Sequence, residues 1–234
     1  MIPVAILAGG LATRLRPITT TIPKALAEVA GHPFIHWQLQ DLAVQGAHDV
    51  VMLVGYLGEQ IEKEIGNGHQ YGLNIRYVFD GPTLLGTGGA LRQALPLLGD
   101  AFFVLYGDSF LQVNYQAVEA AFIKSGQRAL MTVLKNGNQW DKSNATFSGG
   151  QLIEYNKKSP TPAMTYIDYG LSILTRQALE DWHENGVFDL ASLFHYLSVS
   201  GQLAGFEVFE RFYEIGTPQS LAEANAYFSS KRKP

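Results

Sequence analysis

A three-layer α/β fold, with a mostly parallel mixed sheet between two layers of helices, is predicted by three features of the sequence. Short apolar, β-branched runs alternate with segments of helical periodicity through the first half, the pattern of successive βαβ units. Glycine or aspartate follows the runs at Gly9, Asp80 and Asp108, where an open α/β sheet keeps its ligands. The composition is that of a packed globular chain: 234 residues, 47% apolar and 16% charged.

The elements follow in order. Ile2–Ala8 reads as a buried strand. Phe34–Gln45 carries Ile35, Leu39 and Leu42 at helical spacing and is ended by Gly46. Val50–Val54 is a strand, Leu57–Ile65 a helix stopped by Gly66-Asn67-Gly68, and Ile75–Phe79 a strand. A glycine-dense loop from Asp80 to Gly89 leads into a helix at Ala90–Leu95, and Phe102–Leu105 is the next strand. Beyond it, Ala129–Leu134 is extended. Ala145–Phe147 and Gln151–Tyr155 form a hairpin around Ser148-Gly149-Gly150. Tyr166–Leu174 is a strand, and Asp189 caps a helix to Val199. Leu203–Val208 and Arg211–Ile215 are short extended pieces. Thr217 caps and Pro218 opens a last helix running to about Phe228. No linker or repeat divides the chain, so one domain, 1–234, is expected: a first half of about 1–110, a second of about 111–216, and the helix 217–230.

Charge and cysteine content remove several classes of function. A net charge of −4 and a pI near 5.8 argue against nucleic-acid binding. The one dense basic run, Lys231-Arg232-Lys233, is expected to be a solvated tail. With no cysteine there is no disulfide, thiolate metal site or cysteine nucleophile. No apolar run approaches the twenty or so residues of a membrane span, so a soluble, cytoplasmic protein is expected. His32 and His36 show no metal-ligand pattern.

The stretch Gly9–Lys24 carries the strongest chemical signal. Gly9-Gly10 lets a backbone approach a ligand closely, and Thr13, Arg14, Arg16 and Lys24 surround the same loop with hydroxyl and cationic groups. Strand, glycine loop and cations together make a polyphosphate cradle. Arg16, beside Pro17, reads better as a solvent-facing charge. Asp108, directly after a buried strand, is either a turn-former or a carboxylate placed for a hard cation such as Mg²⁺. Glu214, an acid inside Phe212–Ile215, is either a second such group or a solvent-facing acid paired with Arg211.

With these residues the chain resembles the sugar-1-phosphate nucleotidyltransferases, the nucleoside-diphosphate-sugar pyrophosphorylases. Leu7-Ala8-Gly9-Gly10-Leu11-Ala12-Thr13-Arg14-Leu15-Arg16-Pro17 with Pro23-Lys24 is similar to their signature loop. Gly86-Thr87-Gly88-Gly89-Ala90, Tyr106-Gly107-Asp108 and Tyr213-Glu214-Ile215-Gly216-Thr217 follow in the family's order, so the likeness covers nearly the whole chain. It is most similar to short bacterial heptose- or hexose-1-phosphate guanylyltransferases and N-acetylmuramate-1-phosphate uridylyltransferases. The resemblance implies a Rossmann-like, nucleotide-diphospho-sugar transferase fold without a β-helix domain. A Rossmann dehydrogenase ranks below it, because Gly9-Gly10 is not Gly-x-Gly-x-x-Gly.

The implied reaction is attack by a sugar-1-phosphate oxygen on the α-phosphorus of a nucleoside triphosphate, releasing pyrophosphate, with Mg²⁺ as cofactor. The resemblance makes Arg14, Lys24 and Asp108 catalytic and Asp108 and Glu214 metal ligands. The nucleotide would meet Leu7, Ala8, Gly9, Gly10, Leu11, Ala12, Thr13, Arg14, Lys24, Asp80, Thr87 and Gly88. Gly88 and Gly89 would let the loop pass close to the base. Asp80 leans the choice of base to guanine, whose adjacent N–H donors suit a carboxylate, with uracil the alternative. The sugar phosphate would meet Asn144, Lys157, Asp168 and Gly170. Lys158 competes with Lys157, and Asn144 reads also as a turn residue. Two departures from the family pattern are visible: Glu214 stands where aspartate is frequent, and Ala12 where glycine is, which predicts that no positive φ is needed there. Nucleoside triphosphate and sugar-1-phosphate are the expected partners, with no nucleic acid or membrane. A homo-oligomer is compatible with the sequence but not demanded by it. A non-catalytic nucleotide-sugar-sensing subunit is the alternative from another class.

Overall fold

The computed structural model describes residues 1–231, so Arg232 and Lys233 of the basic tail lie outside the described residues. The strands are β1 (Val4–Ala8), β2 (Glu28–Val29), β3 (His32–Pro33), β4 (Asp49–Val54), β5 (Asn74–Phe79), β6 (Ala101–Tyr106), β7 (Ser109–Phe110), β8 (Ala129–Lys135), β9 (Ala145–Ser148), β10 (Gln151–Tyr155), β11 (Tyr166–Thr175), β12 (Leu203–Val208) and β13 (Tyr213–Glu214). The helices are α1 (Phe34–Val44), α2 (Gly58–Ile65), α3 (Gly86–Leu98), α4 (Tyr115–Ser125), α5 (Arg176–Glu180), α6 (Leu190–Val199) and α7 (Pro218–Lys231).

Nine strands form one twisted sheet in the order β5-β4-β1-β6-β11-β8-β12-β10-β9. The first four are parallel, as the alternation of strand and helix predicts. From β11 onward the sheet is mixed: β11 lies antiparallel to both β6 and β8, β12 parallel to β8, and β9–β10 is the expected hairpin. The fold is therefore the predicted mixed α/β sandwich.

The side-chain period of two sorts each strand between two cores. Val4, Ile6, Val50 and Met52 face α1, α2 and α4, while Ala5, Val51 and Leu53 face α3, α5 and α6. A third cluster places α7 under the glycine loop: Leu15, Val29, Phe34 and Ile215 pack with Ala224 and Phe228. Phe228 is edge-on to Phe34 and stacks on Trp37 at 4.6 Å between centroids. Burying Leu15, 1% exposed, contributes about 2 kcal/mol and ties the loop to the last helix.

Several boundaries differ from the sequence reading. α3 begins at Gly86, four residues before Ala90, so much of the glycine-dense loop is helix. α4 was not anticipated, although Asn114 caps it by accepting from Ala117 N–H and Gly126 ends it at φ 61°. Asp189 caps α6 as expected, by accepting from Ala191 N–H, and Pro218 opens α7.

Candidate active site

Two adjoining cavities open at the carboxyl ends of β1 and β6 and beside the first residues of the antiparallel strand β11. The smaller, about 270 Å³, is bordered by Leu7–Gly10, Ala12, Lys24, Asp80, Leu84, Gly86 and Thr87. The larger, about 470 Å³, is bordered by Arg14, Asn144, Tyr155, Lys157, Asp168, Gly170, Arg211 and Glu214. Tyr106 and Asp108 border both, so the end of β6 is the seam between them.

The first cavity is built where two loops touch. Gly9 C=O accepts from Tyr56 N–H at 3.2 Å, and a Cβ on Gly9 would lie 3.1 Å from Gly55 N, so a side chain here would crowd the meeting of the loops after β1 and β4. Asp80 Oδ2 accepts from Leu85 N–H at 3.2 Å. Burial raises the Asp80 carboxyl above its ordinary range against the pull of that hydrogen bond. The loop closes on itself through Ala12, whose C=O accepts from Thr19 Oγ1 at 2.8 Å and from Leu15 N–H at 3.2 Å. Ala12 takes φ 48°, ψ 44°, the left-handed conformation. The expectation of no positive φ is therefore wrong: two hydrogen bonds to one carbonyl hold alanine where glycine would sit without strain.

Gly88 also departs from its expected role. It lies inside α3, its N–H donates to Phe188 C=O at 3.0 Å, and a Cβ there would run into the Phe188 ring. Gly88 and Gly89 pack against the segment before α6 and do not border the smaller cavity. Thr87 borders the cavity while its hydroxyl donates to Asp189 and accepts from Leu190 N–H. Leu11 and Thr13 are exposed and border neither cavity.

At the seam, Lys24 Nζ lies 2.5 Å from Asp108 Oδ2, with 15% and 31% of the two side chains exposed. Ser109 Oγ donates to Asp108 Oδ1 at 3.1 Å. The two-stranded ribbon β7–β13 sets Glu214 opposite Ser109, and Ile215 N–H donates to Asp108 C=O at 3.0 Å. Backbone pairing thus brings the two acids to one rim although they are distant in sequence. Glu214 Oε2 accepts from Gly216 N–H at 2.9 Å and does not pair with Arg211, which instead binds Glu223. Among the described residues no third carboxylate or imidazole joins the two acids. Two hard oxygen donors with room for water and phosphate oxygens fit Mg²⁺, which keeps much of its shell. Arg14 is exposed, borders the larger cavity beside Gly216, and has no ion-pair partner among the described residues.

In the larger cavity a register shift in β11 between Asp168 and Ser172 aims the strand's polar residue inward. Asn144 Oδ1 accepts from Asp168 N–H at 2.9 Å, and Asp168 Oδ1 accepts from Gly170 N–H at 3.0 Å. Burial lifts the Asp168 carboxyl to about 6, with the Gly170 N–H and the Lys157 charge pulling the other way. Lys157 borders the cavity, whereas Lys158 Nζ bonds Ser192 Oγ at 3.0 Å, so only one of the competing lysines faces the site. Sequence reasoning missed Trp140 and Arg211, whose guanidinium lies 3.9 Å over the Trp140 ring and 4.8 Å from the Tyr213 ring. It also missed Gln38, although a polar residue among Phe34, Ile35, Leu39 and Leu42 on the buried face of α1 was visible.

These two cavities on one sheet edge are the architecture of a nucleotidyl-transfer enzyme, and the nucleotidyl transferase family model matches residues 4–231: the chain belongs to that family. Its relatives narrow the class. An N-acetylmuramate α-1-phosphate uridylyltransferase of Neisseria meningitidis serogroup B is 43% identical over 113 residues, 48% of this chain and 49% of that protein. A D-glycero-α-D-manno-heptose 1-phosphate guanylyltransferase of Campylobacter jejuni is 28% identical over 218 residues, 92% of this chain and 94% of that protein. The match thus spans about half the length of the first relative and nearly all of the second. A solved Bacillus anthracis structure in complex with sucrose superposes with a TM-score of 0.87 at 21% identity, covering 99% of this chain and 97% of that one. At that identity the likeness shows the fold alone. No helix among the described residues is long and apolar enough to cross a membrane.

Proposed function

We propose that the chain transfers a nucleoside monophosphate from a triphosphate to a sugar-1-phosphate, releasing pyrophosphate, in the cytoplasm where triphosphates are made. The observation that carries this is the shared wall: Asp108 and Tyr106 border both cavities, so substrates in the two would meet at Asp108. The smaller cavity takes the triphosphate, with the Gly9–Gly10 backbone and Lys24 against its phosphates and Asp80 toward the base. The larger takes the sugar-1-phosphate, with Lys157 on the phosphate and Asp168 and Asn144 toward the hydroxyls. Arg14, on the larger-cavity side of the seam beside Gly216 and with no ion-pair partner among the described residues, would reach across the seam to neutralise charge on the leaving group. The acceptor phosphate is itself the nucleophile, so the protein needs no nucleophile of its own; alignment and charge neutralisation are its contribution.

Asp108 and Glu214 would hold Mg²⁺, which supplies Lewis-acid neutralisation of the reacting phosphates. Lys24 must then exchange its Asp108 partner for phosphate oxygens. GTP with a heptose- or hexose-1-phosphate is favoured, because Asp80 Oδ1 has no hydrogen-bond partner among the described residues and guanine offers adjacent donors. UTP with N-acetylmuramate-1-phosphate is the second reading, favoured by the 43% identity to the Neisseria protein over the matched half. Pyrophosphate release is to be measured across GTP, UTP, dTTP and CTP against a panel of sugar-1-phosphates with Mg²⁺. Release with GTP and a heptose- or hexose-1-phosphate supports the proposal, and release only with UTP moves it to the second reading. Folded protein that binds a triphosphate but releases nothing with any pair is a sensor and not an enzyme.

A further inference from the structure

Asp108 sits in a turn whose two ends are held by a single side chain from the far layer. Gln38, 2% exposed on α1, donates through Nε2 to Tyr106 C=O at 2.8 Å and to Ser109 C=O at 2.5 Å. The two carbonyls bracket Asp108. Its own carbonyl is taken by Ile215 N–H, the neighbour of Glu214. The turn is therefore tied on one side to α1 and on the other to the strand that carries the second acid.

The orientation of the Gln38 amide follows from its surroundings. Both acceptors are carbonyl oxygens, so the flipped amide would set oxygen against oxygen. In the orientation that serves them, Gln38 Oε1 is buried with no partner among the described residues. An orphaned buried acceptor works against stability. An apolar residue would cover this face of α1, between Phe34, Ile35, Leu39 and Leu42, without that penalty. What the amide supplies in return is one bridging donor at the place where β6 ends and β7 begins.

We infer that Gln38 is a positioning residue for nucleotidyl transfer: by clamping the Tyr106–Ser109 turn it sets the direction of the Asp108 carboxylate and, through the Ser109–Glu214 pairing, its separation from Glu214. The inference rests on the assignment of those two acids to a divalent cation. Lys24 is paired to Asp108 by its side chain alone and can move with the nucleotide, whereas the backbone under Asp108 cannot. The clamp thus lets Lys24 leave without the carboxylate swinging after it.

The test uses two variants of similar volume, Gln38→Met, which has no donor, and Gln38→Glu, which offers at most one donor when protonated and repels both carbonyls when ionised. Initial rates give kcat, the KM of each substrate and the Mg²⁺ concentration for half-activation. Calorimetry gives Mn²⁺ affinity in the presence of an α,β-imido triphosphate analogue. Circular dichroism and thermal melting report the fold. The expected result is kcat at least tenfold lower, with a several-fold higher Mg²⁺ midpoint and a matching loss of Mn²⁺ affinity. The triphosphate KM should stay within twofold, and excess Mg²⁺ should partly restore the rate. Folded variants with unchanged Mg²⁺ midpoint and Mn²⁺ affinity overturn the inference and leave Gln38 a packing residue. Failure of both variants to fold overturns it as well. If the unsubstituted protein releases no pyrophosphate with any substrate pair, the proposed reaction fails, while the Mn²⁺ measurement still reads whether Gln38 sets the acids.

Discussion

Replacing Asp168 by asparagine should make the protein more stable and a poorer binder of sugar phosphate. The carboxyl titrates near 6 because it is buried in the wall of the larger cavity, about two units above an ordinary aspartate. The folded state therefore holds a proton that the unfolded chain has released between roughly pH 4 and 6, and stability falls as pH rises through that window. Above it the ionised carboxylate works against folding by about 1–3 kcal/mol. The upper figure takes the whole shift at 1.36 kcal/mol per unit, and the lower allows for water in the open cavity. Asparagine keeps an oxygen for Gly170 N–H and cannot ionise. Urea unfolding of Asp168→Asn and the parent from pH 4 to 8 is the assay. The variant should be more stable above pH 6, and the difference should shrink toward zero near pH 4. On the same material the sugar-phosphate KM should rise about 10- to 100-fold, the loss of one charge-assisted hydrogen bond. Equal stability at every pH, or a difference independent of pH, would refute the claim that an ionised Asp168 in the wall of the larger cavity works against folding.

Four further outcomes follow from the geometry. Ala12→Gly relieves a left-handed alanine, a strain of about 1–2 kcal/mol, against about 0.5–1 kcal/mol of added unfolded-state entropy; a small net stabilisation in urea unfolding is expected, and a loss above about 1 kcal/mol would count against strain at that residue. Gly88→Ala should destabilise by about 1–3 kcal/mol through the collision with Phe188, where an open helix site would gain about 1 kcal/mol, so the sign of the change decides. Lys24→Met should abolish most pyrophosphate release yet tighten Mn²⁺ binding by the nucleotide-free protein, since Asp108 loses its resident cation; unchanged Mn²⁺ affinity would show that the ion pair does not compete with metal. Lys157→Ala should raise the sugar-phosphate KM at least tenfold and Lys158→Ala less than twofold, with steady-state kinetics as the check.

The parallel half of the sheet was legible because each strand is a short apolar run and each following loop is marked by glycine or aspartate. The strand pairings of the second half were not. Nothing local in Tyr166–Thr175 says that it inserts between β6 and β8, because that position is set by which edges remain open once the first four strands have paired. The principal acids and cations were legible from order and spacing: Lys24, Asp108 and Glu214 converge as the family resemblance implied. The packing role of the glycines was not legible: Gly88 and Gly89 read as a ligand loop, while the structure sets Gly88 against the Phe188 ring and Gly89 against the Gly186 carbonyl, neighbours that no local sequence signal announces. Ala12 misled, since tertiary hydrogen bonds can hold an alanine in a conformation its own preferences disfavour. Trp140 and Arg211 left little signal because their contacts are made across the fold, and Gln38 left only a polar residue in an apolar helix face, which does not say what it binds.

The ribbon of β7 and β13 has a consequence for the order in which the site comes into being. Asp108 and the glycine loop belong to the segment a ribosome delivers first, and Glu214 with the helix that packs beneath the loop emerges near the end of the described chain. On the proposed reading, a nascent chain or one clipped in the second half carries the cradle and the Lys24–Asp108 lock without the second acid. Such a fragment also lacks Ile215, Ala224 and Phe228, the residues against which Leu15 of the loop is packed. On the proposed reading, joining the two acids by backbone hydrogen bonds makes turnover wait until the second half has folded onto the first.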